Sequence, residues 1–132
     1  MSEGYYDQMD VPTPGAADIE IETADLFEAL RVKRRRFVIL MVDRFGQMDT
    51  GELADRITRH EVGDHFNTQD RKAVYVGLYQ THLGTLDDAN LVEYNKPRGT
   101  AKPSPLTGEA AAYIRDGYDR FACHEGAREV LE

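Results

Sequence analysis

The chain has 132 residues, of which 41% are hydrophobic, and a formal net charge of −8. This length fits one domain with tails. The sequence contains no run of about 18 apolar residues, so we expect no membrane span. Its acidic N-terminus lacks the apolar stretch of a secretory signal. The single cysteine, Cys123, excludes an internal disulfide, and we therefore expect a protein of the reducing cytoplasm.

The charge is unevenly distributed. Residues 1–30 carry eight acids and no Lys or Arg, residues 31–102 thirteen bases and ten acids, and residues 103–132 three bases and six acids. These segments contribute −8, +3 and −3, which sum to −8. Local charge decides whether a surface can approach phosphate, so the acidic total does not exclude nucleic acid as a partner. Acidic surfaces are also typical of proteins from salt-loving organisms.

The first elements are an arm and three helices. Residues 1–22 combine prolines, glycines and many acids, which predicts a flexible acidic arm. Thr23 is a predicted cap of a short first helix. The apolar residues of 37–45 are too many for a thin stripe and predict a second helix that is buried on most sides and ends at Gly46. Thr50 is the predicted cap of the third helix.

A long fourth helix follows, capped by Asn67 or Thr68. Its predicted buried stripe consists of Val74, Leu78, Leu83, Leu86 and Ala89. Gly84 weakens the helix, and we expect a bend near it. Asn90 tolerates the left-handed conformation and ends the helix.

The segment after the long helix predicts a β-hairpin and a last helix. LVEY has the composition of a strand, NKPRG that of a turn, and TAKPSP that of a returning strand. The prolines of the returning strand restrict it to a sheet edge. Thr107 is the predicted cap of the last helix.

This order of elements is that of a winged helix-turn-helix domain. We therefore predict a mainly α fold with a small β-hairpin wing (α+β), spanning residues 23–105, with an extra C-terminal helix within 106–132. In such domains the helix after the turn enters the DNA major groove, which is about 12 Å wide. The basic hairpin then lies near the DNA backbone.

Several motifs also resemble known families. THLGTLDDANLV resembles the HLxxLxxAGLV end of the recognition helix in ArsR-like winged helix-turn-helix repressors, and LFEALRVKRRRFVIL resembles their LFxALSxxxRRxIL start. Residues 24–102 further resemble a haloarchaeal winged-helix family of unknown function. The matching motifs stand at Arg34–Arg36, Glu52–Asp55, Asp70–Leu86 and Leu91–Tyr94. Two positions depart from these patterns, since Asn90 replaces the usual Gly and Gly84 stands where Pro is frequent. The resemblance implies a DNA-binding transcription regulator.

Candidate DNA contacts fall on three segments. They are Arg34 and Arg35 before the second helix core, Arg71, Lys72, Val76 and Gln80 on the 69–82 helix, and Lys96, Arg98 and Lys102 in the wing. Arg and Lys contact guanine or phosphate, and Gln pairs with adenine. The alternative for each group is an ordinary solvated polar surface.

The final helix presents a predicted dimerisation stripe. Its members are Ala110, Ile114, Tyr118 and Phe121. A two-fold dimer places two recognition helices about one DNA turn apart. The alternative is that the stripe packs on the core of its own chain.

We expect no enzyme, metal or cofactor. The four histidines and Cys123 do not follow a metal-ligand spacing, and no nucleophile–base pair or phosphate-binding loop is present. The predicted function is a sequence-specific, homodimeric, DNA-binding transcription regulator. The alternative is a winged-helix protein-interaction module without DNA binding. The operator, the sign of regulation and any small-molecule inducer stay open.

Overall fold

The computed structural model describes residues 21–121. Within them lie α1 (Thr23–Leu30), α2 (Lys33–Phe45), β1 (Met48–Asp49), α3 (Thr50–Val62), α4, β2 (Val92–Asn95), β3 (Thr100–Pro103) and α5 (Thr107–Arg120). Helix α4 runs without interruption through an α-helical stretch Thr68–Gly77, a π-helical turn Leu78–His82 and an α-helical stretch Leu83–Asp88. These five helices and the three-stranded antiparallel sheet form an α+β winged-helix-like fold, which confirms the predicted fold class.

Helix α2 is the centre of the core. Every residue from Phe37 to Val42 is at most 1% exposed, because α1, α3, β3 and α5 all contact this helix. The prediction of a helix buried on most sides is confirmed. Residues 1–20 of the predicted arm and residues 122–132, including Cys123, lie outside the described residues. Ile21, placed in the arm by the sequence, packs against the core.

A reciprocal cap fixes the start of α4. The Asp70 N–H donates to Asn67 Oδ1 at 2.8 Å, and the Asn67 N–H donates to the Asp70 carboxylate at 3.1 Å. This capping box satisfies two backbone donors at the helix start. Of the two predicted caps, Asn67 is therefore the observed one.

The irregularity in α4 lies before Gly84, not at it. Leu78 and Leu83 are both fully buried although they stand five positions apart. In an α-helix five residues overshoot a full turn by roughly 140°, which would send one leucine to the surface. The Leu83 N–H donates to the Leu78 carbonyl, an i→i+5 bond that brings both side chains to one face. The π turn Leu78–His82 thus lies close to Gly84, near which the sequence predicted a bend.

The sheet has one strand more than predicted. Its order is β1-β3-β2, so β3 is the central strand and not an edge. The two-residue β1 pairs only with Ala101 and Thr100, which leaves Pro103 beyond its reach. Asn90 has a φ of 62°, as predicted for the residue that ends α4.

Candidate nucleic-acid interface

The exposed side of α4 carries a stripe of five side chains, which we name the α4 stripe. Its members are Gln69, Lys72, Ala73, Val76 and Gln80. They recur at helical spacing on the side opposite the buried Val74 and Leu78. The α4 stripe holds one cation, two amides and two small apolar side chains, and no carboxylate. This composition suits contact with base edges in a groove.

Arg71 lies at the margin of the α4 stripe and is engaged with α3. Its Nε donates to Asp55 Oδ1 at 2.5 Å, and its Nη2 lies 3.4 Å from the Gly51 carbonyl oxygen. The side chain is 38% exposed. Arg71 therefore fastens α4 to α3, and Lys72 is the exposed cation within the α4 stripe.

The exposed cations of the wing lie beside α4. Lys96 and Arg98 are exposed in the turn between β2 and β3, whereas Lys102 forms an ion pair of 3.6 Å with Glu93. Lys96 Nζ lies 4.6 Å from the centre of the Tyr79 ring, within the range of a cation–π contact. A cleft of about 520 Å³ separates wing and helix.

A pair of hydrogen bonds fixes the position of the wing. The backbone N–H and the Oγ1 of Thr50 both donate to the Gly99 carbonyl, at 2.8 and 2.9 Å. Gly99 has a φ of +69°, a conformation that favours glycine. Thr50 was predicted to cap α3, but the N-cap is Asp49, and Thr50 instead joins the start of α3 to the wing turn.

Two tyrosines of α4 border the wing cleft. The rings of Tyr75 and Tyr79 are nearly parallel, with centroids 6.5 Å apart, and Tyr79 is 41% exposed. The Tyr94 hydroxyl is buried. Its burial, and next the neighbouring tyrosines, raise the pKa of Tyr94. Its phenol therefore stays neutral at physiological pH.

Arg34 and Arg35, in the first turn of α2, are both bonded to other groups of the chain. Arg35 is 5% exposed, and its guanidinium donates to His82 Nδ1 at 3.2 Å and to the Glu28 carbonyl at 2.9 Å. This burial corrects the prediction for Arg35, because a buried guanidinium cannot reach a phosphate on a docked duplex. Arg34 is bonded to the Glu61 carboxylate at 2.7 and 2.8 Å, so it joins α2 to α3.

The environment of His82 predicts how the free energy of unfolding changes with pH on the acid side of neutrality. Burial, and then the positive charges of Arg35 and Arg34, lower the pKa of His82 from its ordinary value. The unfolded chain binds a proton below about pH 6.5 while the folded chain does not, so the free energy of unfolding falls as pH falls. We expect chemical denaturation between pH 7.5 and 5 to show this slope.

His82→Asn is the matched variant, because its Oδ1 keeps an acceptor near Arg35. We expect a weaker slope over the same range in this variant. An unchanged slope would mean that another group carries the dependence. The bond to Arg34 lowers the pKa of the Glu61 carboxyl. The stability that this ion pair contributes is therefore lost only at more acid pH, below about 4.5.

The predicted dimerisation stripe is partly internal. Ala110 and Ile114 are 5% and 4% exposed and pack in their own core. This burial corrects the assignment of Ala110 to a dimer surface, whereas Ile114 also lines a cleft between α1 and α5. Tyr118 is half-buried and bonded to Arg36 Nε at 3.2 Å. Phe121, at 77% exposed, does face outward.

Exposed aromatic residues instead surround a groove between α1 and α5. Phe27 and Tyr113 are 53% and 52% exposed, and with Phe121 they border an apolar cleft of about 810 Å³. Phe27 and Tyr113 were not predicted as surface contacts from the sequence, because each lies on a helix whose other face contributes to the core. We name this surface the α1/α5 groove.

The described part of the chain has no group of three or more His, Cys, Asp or Glu side chains placed to hold a metal ion. Across residues 21–121 no helix has the length and apolar character that crossing a membrane needs.

The fold and this face define a winged-helix-like α+β protein with an exposed helix beside a basic wing. Residues 27–102, more than half of the chain, match a family described as Domain of unknown function (DUF7344), and the chain belongs to that family. Among curated proteins and solved structures, none matches it.

Proposed function

We propose that this protein is a sequence-specific DNA-binding transcription regulator of the haloarchaeal, ArsR-like winged-helix type, acting in the cytoplasm as a homodimer. Helix α4 lies in the major groove and the wing on the backbone. The observation that carries the proposal is the carboxylate-free α4 stripe beside the exposed wing cations Lys96 and Arg98. An exposed helix flanked by positive charge is one of the elements that fit the major groove.

Three carboxylates near the α4 stripe accept hydrogen bonds from groups of the same chain. Asp55 is bonded to Arg71, Asp70 accepts from the Asn67 N–H, and Asp87 accepts from the Tyr94 N–H at 3.0 Å. Carboxylates turned toward the stripe would repel phosphate and would favour the protein-interaction alternative. Their bonding within the chain supports DNA as the partner, because carboxylates that are held in this way are not free to turn toward a bound phosphate.

Selection of bound duplexes from random DNA, at low and molar salt, tests the proposal. We expect one two-fold symmetric motif to be enriched by the wild-type chain. Lys72→Ala should weaken binding to that motif, since Lys72 is the exposed cation of the α4 stripe. Lys33→Ala, at the start of α2, is the control with the same charge change. A folded chain that enriches no motif at any salt concentration would exclude the proposal.

The α1/α5 groove is the proposed dimer surface. Exposed aromatic side chains that border an apolar cleft are typical of an interface, and a second copy would cover Phe27 and Tyr113. We expect Phe27→Glu to produce a monomer in sedimentation analysis and to lose binding to two-fold sites. Val62→Glu, at a similarly exposed valine of α3, is the control. A dimer that survives Phe27→Glu would contradict this placement.

The second candidate function is a protein-interaction module without DNA affinity or catalysis. The same α1/α5 groove favours it, because a helix of another protein could occupy a cleft of this size. Wild-type protein that is monomeric and selects no DNA would support this reading.

A further inference from the structure

We propose that the α4 stripe reads A·T base pairs through the thymine methyl group, with Val76 as the specificity-determining contact. This inference rests on the proposed DNA binding. The thymine C5-methyl is the apolar group that the major groove displays. Ala73 and Val76 are the two apolar side chains of the α4 stripe, and they lie at its middle.

The exposure of Val76 has no explanation in the core. Val74 and Leu78, on the inner side of the same helix, are 3% and 0% exposed, whereas Val76 is 36% exposed. The exposed third of the Val76 surface lies outside the core. It would lose water-exposed area only when a partner covers the α4 stripe.

The polar members of the α4 stripe agree with this base preference. Gln69 and Gln80 stand at its two ends, and a glutamine amide donates and accepts in the pattern that adenine N6 and N7 require. The guanidinium of Arg71, the group best suited to guanine, is bonded to Asp55.

The spacing of Ala73 and Val76 along α4 indicates how many base pairs the two side chains contact. Ala73 and Val76 are three residues apart, a rise of roughly 4.5 Å, and successive base pairs are roughly 3.4 Å apart along DNA. The two side chains therefore face neighbouring base pairs. We infer that each half-site contains two adjacent A·T pairs at this place.

Replacement of single thymines by uracil in the selected duplex tests the inference, because it removes the methyl group and leaves base pairing intact. Fluorescence anisotropy gives the Kd of each duplex. We expect about fourfold weaker binding at one or two positions of each half-site, from about 0.8 kcal/mol per buried methyl. Val76→Ala should abolish the sensitivity at one of these positions.

Val62→Ala is the matched control, since Val62 is an exposed valine on α3, and it should retain every uracil effect. Specific binding that is insensitive to uracil everywhere would overturn the inference and leave the proposed function standing. The same holds if Val76→Ala keeps the full sensitivity. If no duplex binds specifically, the proposed function fails and the inference fails with it.

Discussion

Deletion of Thr85 should destabilise the protein by about 3 kcal/mol or more, whereas deletion of Thr81 should change the free energy of unfolding by only about 1 kcal/mol. Without Thr85, Leu83 and Leu86 stand two residues apart and cannot share a helix face. One leucine then leaves the core, at the cost typical of losing a large buried side chain. Without Thr81, the step from Leu78 to Leu83 becomes four residues.

A four-residue step matches a regular α-helix, so the shortened chain can replace the π turn by an α turn. Urea denaturation followed by circular dichroism measures both variants, and the wild-type chain is the reference. Equal destabilisation by the two deletions would show that leucine spacing does not determine the π turn.

Removal of both exposed wing cations should have the largest effect on DNA affinity. For Lys96→Ala with Arg98→Ala we expect the salt slope, d log K/d log[salt], to become shallower by about 2, because each phosphate contact contributes about 0.9. Over the range from molar salt down to about 50 mM, two such contacts correspond to roughly 200-fold in affinity. The difference in DNA affinity between this variant and the wild-type chain should therefore decrease toward molar salt.

Lys33→Ala with Arg115→Ala is the charge-matched control. Lys33 lies beside the Phe37 ring of α2, and Arg115 of α5 pairs with Asp43. Anisotropy titrations from low to molar salt give both slopes on one duplex. If the control variant loses the same slope as the wing variant, net charge and not the wing governs binding.

The sequence predicted the order of the elements from their apolar spacing and from the residues at the two ends of α4. Asn67 and Asp70 stand three residues apart, and Asn90 occupies the position that must turn left-handed. The other predicted caps were wrong by one residue, since the N-caps of α1, α3 and α5 are Glu22, Asp49 and Leu106. The π turn could also have been predicted, because the buried stripe advances by five positions between Leu78 and Leu83. The strand β1 was missed because two residues carry no periodicity.

Side-chain roles were harder to predict than elements. Three adjacent arginines look alike in sequence, yet Arg35 is buried and Arg34 binds a carboxylate 27 residues away. Pairing over such distances depends on how the helices cross, which local composition does not encode. For the same reason the predicted dimer stripe joined the buried Ala110 to the outward Phe121, and the exposed Phe27 and Tyr113 were not predicted.

The bonds from Thr50 to the Gly99 carbonyl have a consequence for the order of folding. A hairpin of two four-residue strands has marginal stability in isolation, and the wing's anchor here lies 49 residues earlier in the chain. Contacts across that separation form only after the intervening chain has been closed into a loop, which has an entropic cost. The wing is therefore a late-folding part of the domain, and the amide hydrogen of Thr50 reports its docking by hydrogen exchange.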